Sequence, residues 1–116
     1  MKRDFRLTRS TDIKRVRRSG KSYAHPLVVL YVLKSGGSET HIGVSAGLAV
    51  GNAVERNRAK RLLRAAMEDL IPLTVPGSDL LLIARSPLPA ANVFQARDAL
   101  VSLLMRAGLL SQAHDV

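Results

Sequence analysis

At 116 residues, 47% of them apolar, the chain has enough material for one hydrophobic core and too little for two ordinary domains, so a single domain over 1–116 is expected. It has no cysteine, which excludes a disulfide framework and a thiolate metal site, and its net charge of +9 points to polyanionic partners while saying nothing about fold. No apolar run approaches the roughly 20 residues of a membrane helix, and no apolar segment follows the charged start Met1–Arg6, so a cytoplasmic protein with no membrane partner is expected.

The charge sits in two blocks. Residues 1–21 hold nine cations against Asp4 and Asp12, and residues 55–64 hold five against Glu55, while the rest of the chain has four cations and six acids. Residues 1–8 read as a basic arm, and residues 110–116 are expected to fray.

A first helix is predicted over 10–19, with Ser10 or Thr11 as cap, Asp12 at the positive helix end and Gly20 as stop. Its apolar face is thin, with Ile13 and Val16 preceded only by Phe5 and Leu7. The branched run Leu27–Leu33, bounded by Pro26 and Ser35-Gly36-Gly37-Ser38, predicts a strand buried on both faces. Alternation from Thr40 to Ala46 predicts its hairpin partner. Asn52 followed by Glu55 resembles a capping box, and helical period runs from there to about Leu70 before Pro72 and Pro76-Gly77. Residues 79–85 read as a second buried strand. Asn92 and Gln95 open a last helix whose stripe is Ala96, Ala99, Leu100, Leu103, Leu104 and Ala107, closed by Gly108. The order αβββαβα describes an α+β protein, a two-layer α/β sandwich with a small central sheet. The open face of the sheet beside the first helix would leave a groove, with Tyr31 a candidate for its floor.

The informative segment is Gly51-Asn52-Ala53-Val54-Glu55-Arg56-Asn57-Arg58-Ala59-Lys60-Arg61-Leu62-Leu63-Arg64. On a helix, Asn57, Lys60, Arg61 and Arg64 share one face, while Ala59, Leu62, Leu63, Ala66 and Leu70 share the opposite one, and Arg56 and Arg58 widen the cationic side. Guanidinium groups grip phosphates with paired hydrogen bonds, lysine adds a mobile charge, and the Asn amide donates and accepts. An arginine-rich helix face is most often merely solvated. This one has few balancing acids, a second block of the same sign and a slightly acidic remainder, which together favour a nucleic-acid-binding surface.

No catalytic side chains are expected. The acids are scattered, and His41 and Ser45 share a strand face with no third residue evident to orient the imidazole. His25, His41 and His114 lack metal-ligand spacing, so no protein-held metal is expected. Stacking is limited to Phe5, Tyr23, Tyr31 and Phe94, of which Phe94 is assigned to the core or a helix flank and Tyr31 either to the groove or to a buried strand position.

Gly51-Asn52-Ala53-Val54 with Arg56-Asn57-Arg58 and Lys60-Arg61 is similar to the signature of the bacterial ribonuclease P protein family. Further likeness runs through Arg6-Leu7, Asp12, Val16, Gly20, Val29-Leu30-Tyr31, Gly43, Ser45, Asp79 and Ile83-Ala84-Arg85. The resemblance implies a ribosomal protein S5 domain 2-like fold with a left-handed βαβ crossover around the Arg-Asn-Arg helix, against the usual right-handed rule. It implies that Arg56, Asn57, Arg58, Lys60, Arg61 and Arg64 contact a catalytic RNA subunit. It further implies that a groove with Ile13, Arg17 and Tyr31 holds the single-stranded 5′ leader of precursor tRNA. The holoenzyme would hydrolyse one phosphodiester with Mg²⁺ held by the RNA subunit and substrate. Ile13 and Arg17 stand where members often carry phenylalanine, so this groove should rely less on stacking and more on charge. Gly47, Leu48 and Ala49 replace a usual serine and a usual basic pair.

Two other classes use a similar charge distribution. A ribosomal or RNA-chaperone protein would co-purify with ribosomal RNA, and a DNA-binding helix-turn-helix would need a second helix a short turn away, where strands are predicted here.

Overall fold

A computed structural model describes residues 6, 7 and 9–110. Most of the predicted basic arm, the end beyond residue 110, Phe5 and His114 lie outside the described residues.

Helix α1 spans Ser10–Ser19, and Gly20 ends it by turning to extended backbone while its N–H still reaches the Val16 carbonyl. The start departs from expectation, because Arg9 holds the capping position and its side chain makes no capping hydrogen bond. Its hold on the rest of the molecule is therefore tertiary, through fully buried Val16 and half-buried Ile13.

Strands β1 (Lys21–Ala24) and β2 (Val28–Lys34) form a hairpin. The predicted hairpin of β2 with the next strand does not form. Strand β3 covers His41–Ser45, but β4 (Ser78–Ala84) enters between the two, giving the order β1-β2-β4-β3. β4 runs antiparallel to β2 and parallel to β3. Burial explains this choice. Within β4, Ser78, Asp79, Leu80, Leu81, Leu82 and Ala84 are all buried, so this strand needs a neighbour on each edge and cover on each face. β3 accepts the outer position, where the chain at Arg6 and Leu7 adds a short parallel bridge, Leu7 N donating to Ile42 O at 2.8 Å. Gly43 permits that approach, since a Cβ there would lie 3.1 Å from the Leu7 carbonyl oxygen.

β2 is also less enclosed than predicted. Val28 and Leu30 are buried, whereas Val29 and Tyr31 on the other face are half-buried. The reason is that the two faces carry unequal layers. Helices α2 (Ala53–Glu68) and α3 (Val93–Arg106) cover the face built from Val28, Leu30, Ile42, Leu80 and Leu82, forming the main core with Leu63, Met67, Leu100, Leu103 and Leu104. On the opposite face, among the described residues, α1 and Leu7 provide the cover, around Val16, Leu81 and the half-buried Ile13, Tyr31, Leu33 and Ile83.

Both long helices start as the sequence predicts. Asn52 and Glu55 exchange side chain and backbone bonds of 3.0 and 3.1 Å, and Asn92 and Gln95 do the same at 2.8 and 3.0 Å. Gly51 precedes the first box with φ 142°, in a region that favours glycine, and a Cβ there would run into the Glu55 carboxylate. α2 joins the parallel neighbours β3 and β4, which makes it the crossover of a βαβ unit. The α+β class and the order αβββαβα are as predicted.

Candidate nucleic-acid interface

The ridge on α2 is built from the inside outward. Ala59, Leu63, Ala66 and Met67 pin the helix against the sheet and α3. With that stripe fixed, the helical period leaves Asn57, Arg58 and Arg61 exposed and Arg56, Lys60 and Arg64 half-exposed. Leu62, assigned to the buried stripe, is only half-buried, and Met67 fills the core position that the sequence pattern passed over.

None of these six residues forms an ion pair with a carboxylate among the described residues. Glu55, the one acid inside the block, turns its carboxylate to the Asn52 N–H at the helix cap. Arg58 Nε donates to the Pro89 carbonyl at 2.7 Å, which orients the guanidinium and leaves its terminal nitrogens for another acceptor. Arg64 has a buried Nε with no hydrogen-bond partner among the described residues. Burial, and then the nearby charge of Arg6, lower the Arg64 guanidinium from its ordinary value. Arg6 extends the cationic surface from the end of the ridge to the edge of β3. An anion between Arg6 and Arg64 would relieve both the unmet donor and the like-charge repulsion.

The second predicted site lies on the other face of the sheet. Ile13 and Tyr31 come together around Val16 and Leu81, while Arg17, one turn after Ile13, stands exposed at the flank of α1. The strand register adds residues that sequence reasoning missed. Tyr31, Leu81 and Gly43 form one row across the sheet, and Val29, Ile83 and Ser45 form the next, all three half-exposed. Period-two alternation from Tyr31 could have found Val29, but not its partners across the sheet. Tyr23 packs against the main core on the opposite face, so Tyr31 is the aromatic ring of this groove among the described residues. Phe94, assigned to the core or a helix flank, is on the outer side of α3 and 74% exposed.

His41 does have an orienting partner, contrary to the sequence reading: its Nδ1 lies 3.2 Å from Asp79 Oδ1. Ser45 is four strand positions further on, roughly 13 Å away, far outside hydrogen-bond reach of the imidazole. The third group at Asp79 is Arg15, a cation, at 2.8 Å. Among the described residues no three His, Asp or Glu side chains gather as a metal site requires.

Comparison with known proteins decides the family. The Ribonuclease P family profile matches residues 1–108. The chain belongs to the ribonuclease P protein family. It is accordingly an RNA-binding protein of transfer-RNA processing and part of a ribonucleoprotein nuclease. It is 36% identical to the ribonuclease P protein component of Exiguobacterium over 107 residues, covering 92% of this chain and 93% of that one. It is also 36% identical to that of Listeria monocytogenes over 114 residues, covering 97% and 95%. Among solved structures, the Staphylococcus aureus RNase P protein superposes with a TM-score of 0.81 at 26% identity, over 92% of this chain and 98% of that one. The Thermotoga maritima RNase P protein gives 0.77 at 26% identity, over 87% and 96%. Among the described residues no helix is long and apolar enough to cross a membrane.

Proposed function

We propose that the chain serves as the non-catalytic protein subunit of a cytoplasmic ribonuclease P holoenzyme, gripping the catalytic RNA subunit with α2 and the 5′ leader of precursor tRNA with the groove beside α1. The observation that carries the first half is the ridge of Arg56, Asn57, Arg58, Lys60, Arg61 and Arg64, anchored by a packed apolar stripe and unpaired with any described carboxylate. Such a surface is arranged for phosphates that hold a structured RNA in position.

Ile13, Arg17 and Tyr31 suit a single-stranded leader. Tyr31 offers one ring for a base, Ile13 an apolar wall, and Arg17 a charge for the backbone. One ring and an exposed arginine favour reliance on charge over stacking. Mg²⁺ for phosphodiester hydrolysis would be held by the RNA subunit and substrate, and would supply water activation and leaving-group stabilisation there. This chain's part is to bind, orient and discriminate precursor from product.

Reconstitution tests this directly. The chain, mixed with the catalytic RNA subunit at low Mg²⁺, should stimulate cleavage of precursor tRNA at the mature 5′ end. Absence of stimulation, or co-purification with ribosomal RNA alone, would overturn it.

A further inference from the structure

Helix α1 is anchored thinly. Val16 is its single fully buried residue among those described, Ile13 is half-buried, and the Arg9 side chain makes no capping hydrogen bond at the N-terminus. Against this stands one well-made polar attachment. Asp79, 4% exposed on β4, receives Arg15 NH2 from α1 on Oδ2 at 2.8 Å and faces His41 Nδ1 from β3 with Oδ1 at 3.2 Å. Arg15 also lies 3.5 Å from Asp12 within α1, and His41 Nε2 lies 3.6 Å from Glu39. One buried carboxylate therefore ties the helix to two strands. A carboxylate so enclosed requires these partners, because an unpaired buried charge is strongly unfavourable.

The position of this tie matters for the groove. Asp79, Leu81 and Ile83 alternate onto the same face of β4, so the carboxylate stands at one end of the surface whose open end is Tyr31, Val29 and Ile83. On α1, Arg15 and Arg17 are two residues apart and so project about 200° apart around the helix axis. The helix is pinned along the Arg15 flank and offers Arg17 on the other. Without the pin, α1 would rest on Val16 and Ile13 alone and could roll, carrying Arg17 and Ile13 away from Tyr31.

We propose that Arg15 and Asp79, braced by His41, are positioning residues for leader binding: they fix the roll of α1 and thereby the opening of the groove, without touching the leader. This rests on the groove reading given above.

The test compares Arg15→Ala, Asp79→Asn and the double variant in the reconstituted holoenzyme, measuring affinity for precursor tRNA and for mature tRNA. Each single variant should reduce the precursor-over-mature preference by roughly tenfold, and the double should lose no more than either single, as expected of two residues acting as one unit. Affinity for mature tRNA and for the RNA subunit should hold, and hydrogen exchange should quicken in residues 10–19 and not in α2. Arg15 is half-exposed, so Arg15→Ala keeps the test open should Asp79→Asn fold poorly. Unchanged preference, additive losses, or equal losses for precursor and mature tRNA would overturn the proposal. Tyr31→Ala separates the two levels. Loss of preference in Tyr31→Ala alone sinks only the positioning role, whereas no loss in any variant sinks the groove itself.

Discussion

The Nε of Arg58 donates a 2.7 Å hydrogen bond to the carbonyl oxygen of Pro89, so a side chain of the cationic ridge is steadied by the turn ahead of α3 while its terminal nitrogens stay outward. Arg61, one turn along α2, is exposed without such a tether among the described residues. Arg58→Ala with Arg61→Ala should weaken binding to the catalytic RNA subunit by about tenfold per arginine, the value of a charge-assisted hydrogen bond. The slope of log affinity against log salt should also shrink by roughly 0.7 to 0.9 for each phosphate that is no longer neutralised. Stability should fall by about 1 kcal/mol or less, since neither group is buried. A filter-binding titration across salt, with a thermal melt beside it, checks both halves, and unchanged affinity at moderate salt would count against the ridge.

Asn52 and Asn57 are both amides near the start of α2 but have opposite duties. Asn52 accepts from the Glu55 N–H, whereas Asn57 is exposed on the ridge. Asn52→Ala should cost about 1 kcal/mol of stability. Asn57→Ala should leave stability unchanged and lower RNA affinity. Denaturant unfolding and RNA binding, measured on the pair, should separate them cleanly.

Gly51 sets the entry to the same helix. With φ at 142° and the Glu55 carboxylate where a Cβ would go, Gly51→Ala should cost about 1–3 kcal/mol, combining backbone strain with loss of the capping box. A loss no larger than that of Asn52→Ala in urea unfolding would show that the backbone conformation matters little here.

Much of this arrangement is legible in the sequence because it is local. The capping boxes at Asn52 and Asn92, the stop at Gly20 and the ridge itself follow from spacing along one helix. What the sequence hides is non-local. Nothing in Thr40–Ala46 tells that β4, distant in the chain, will take the place beside β2, because the preference belongs to β4's own two-sided burial. Asp79 looks like an isolated acid until the fold brings Arg15 and His41 to it. Phe94 shows the reverse case. Of the two places its apolar character allows, the core is excluded because the stripe of α3 is already complete with Ala96, Ala99, Leu100, Leu103 and Leu104, which leaves the ring on the helix flank.

Arg64 carries a conflict between stability and binding. Its Nε is buried without a partner among the described residues, and both desolvation and Arg6 oppose its charge in the folded protein. A base whose folded value is lowered destabilises the fold wherever it is charged, which for arginine covers every pH near neutrality, so this penalty has no pH dependence there. Arg64→Met should therefore raise stability slightly, by about 1 kcal/mol or less, while weakening RNA binding. A loss of stability would show that Arg64 serves the fold, and unchanged affinity would show that it does not serve the RNA.

Tyr31 tests the groove from its floor. It stands in mid-strand, half-buried beside Ile13, with its row neighbour Leu81 beneath α1 and the next row, Val29 and Ile83, half-exposed. Removing the ring takes away the one aromatic surface on this face among the described residues, and a base stacked on it would lose about 1–3 kcal/mol. Tyr31→Ala should lower affinity for precursor tRNA by roughly tenfold or more, with little change for mature tRNA, which has no leader to place there. Tyr31→Phe keeps the ring and removes only the hydroxyl, so it should retain most of the precursor preference if stacking holds the base. Should Tyr31→Phe fall as far as Tyr31→Ala, the hydroxyl is what the leader reads, and should both bind precursor and mature tRNA with equal losses, the leader does not lie in this groove.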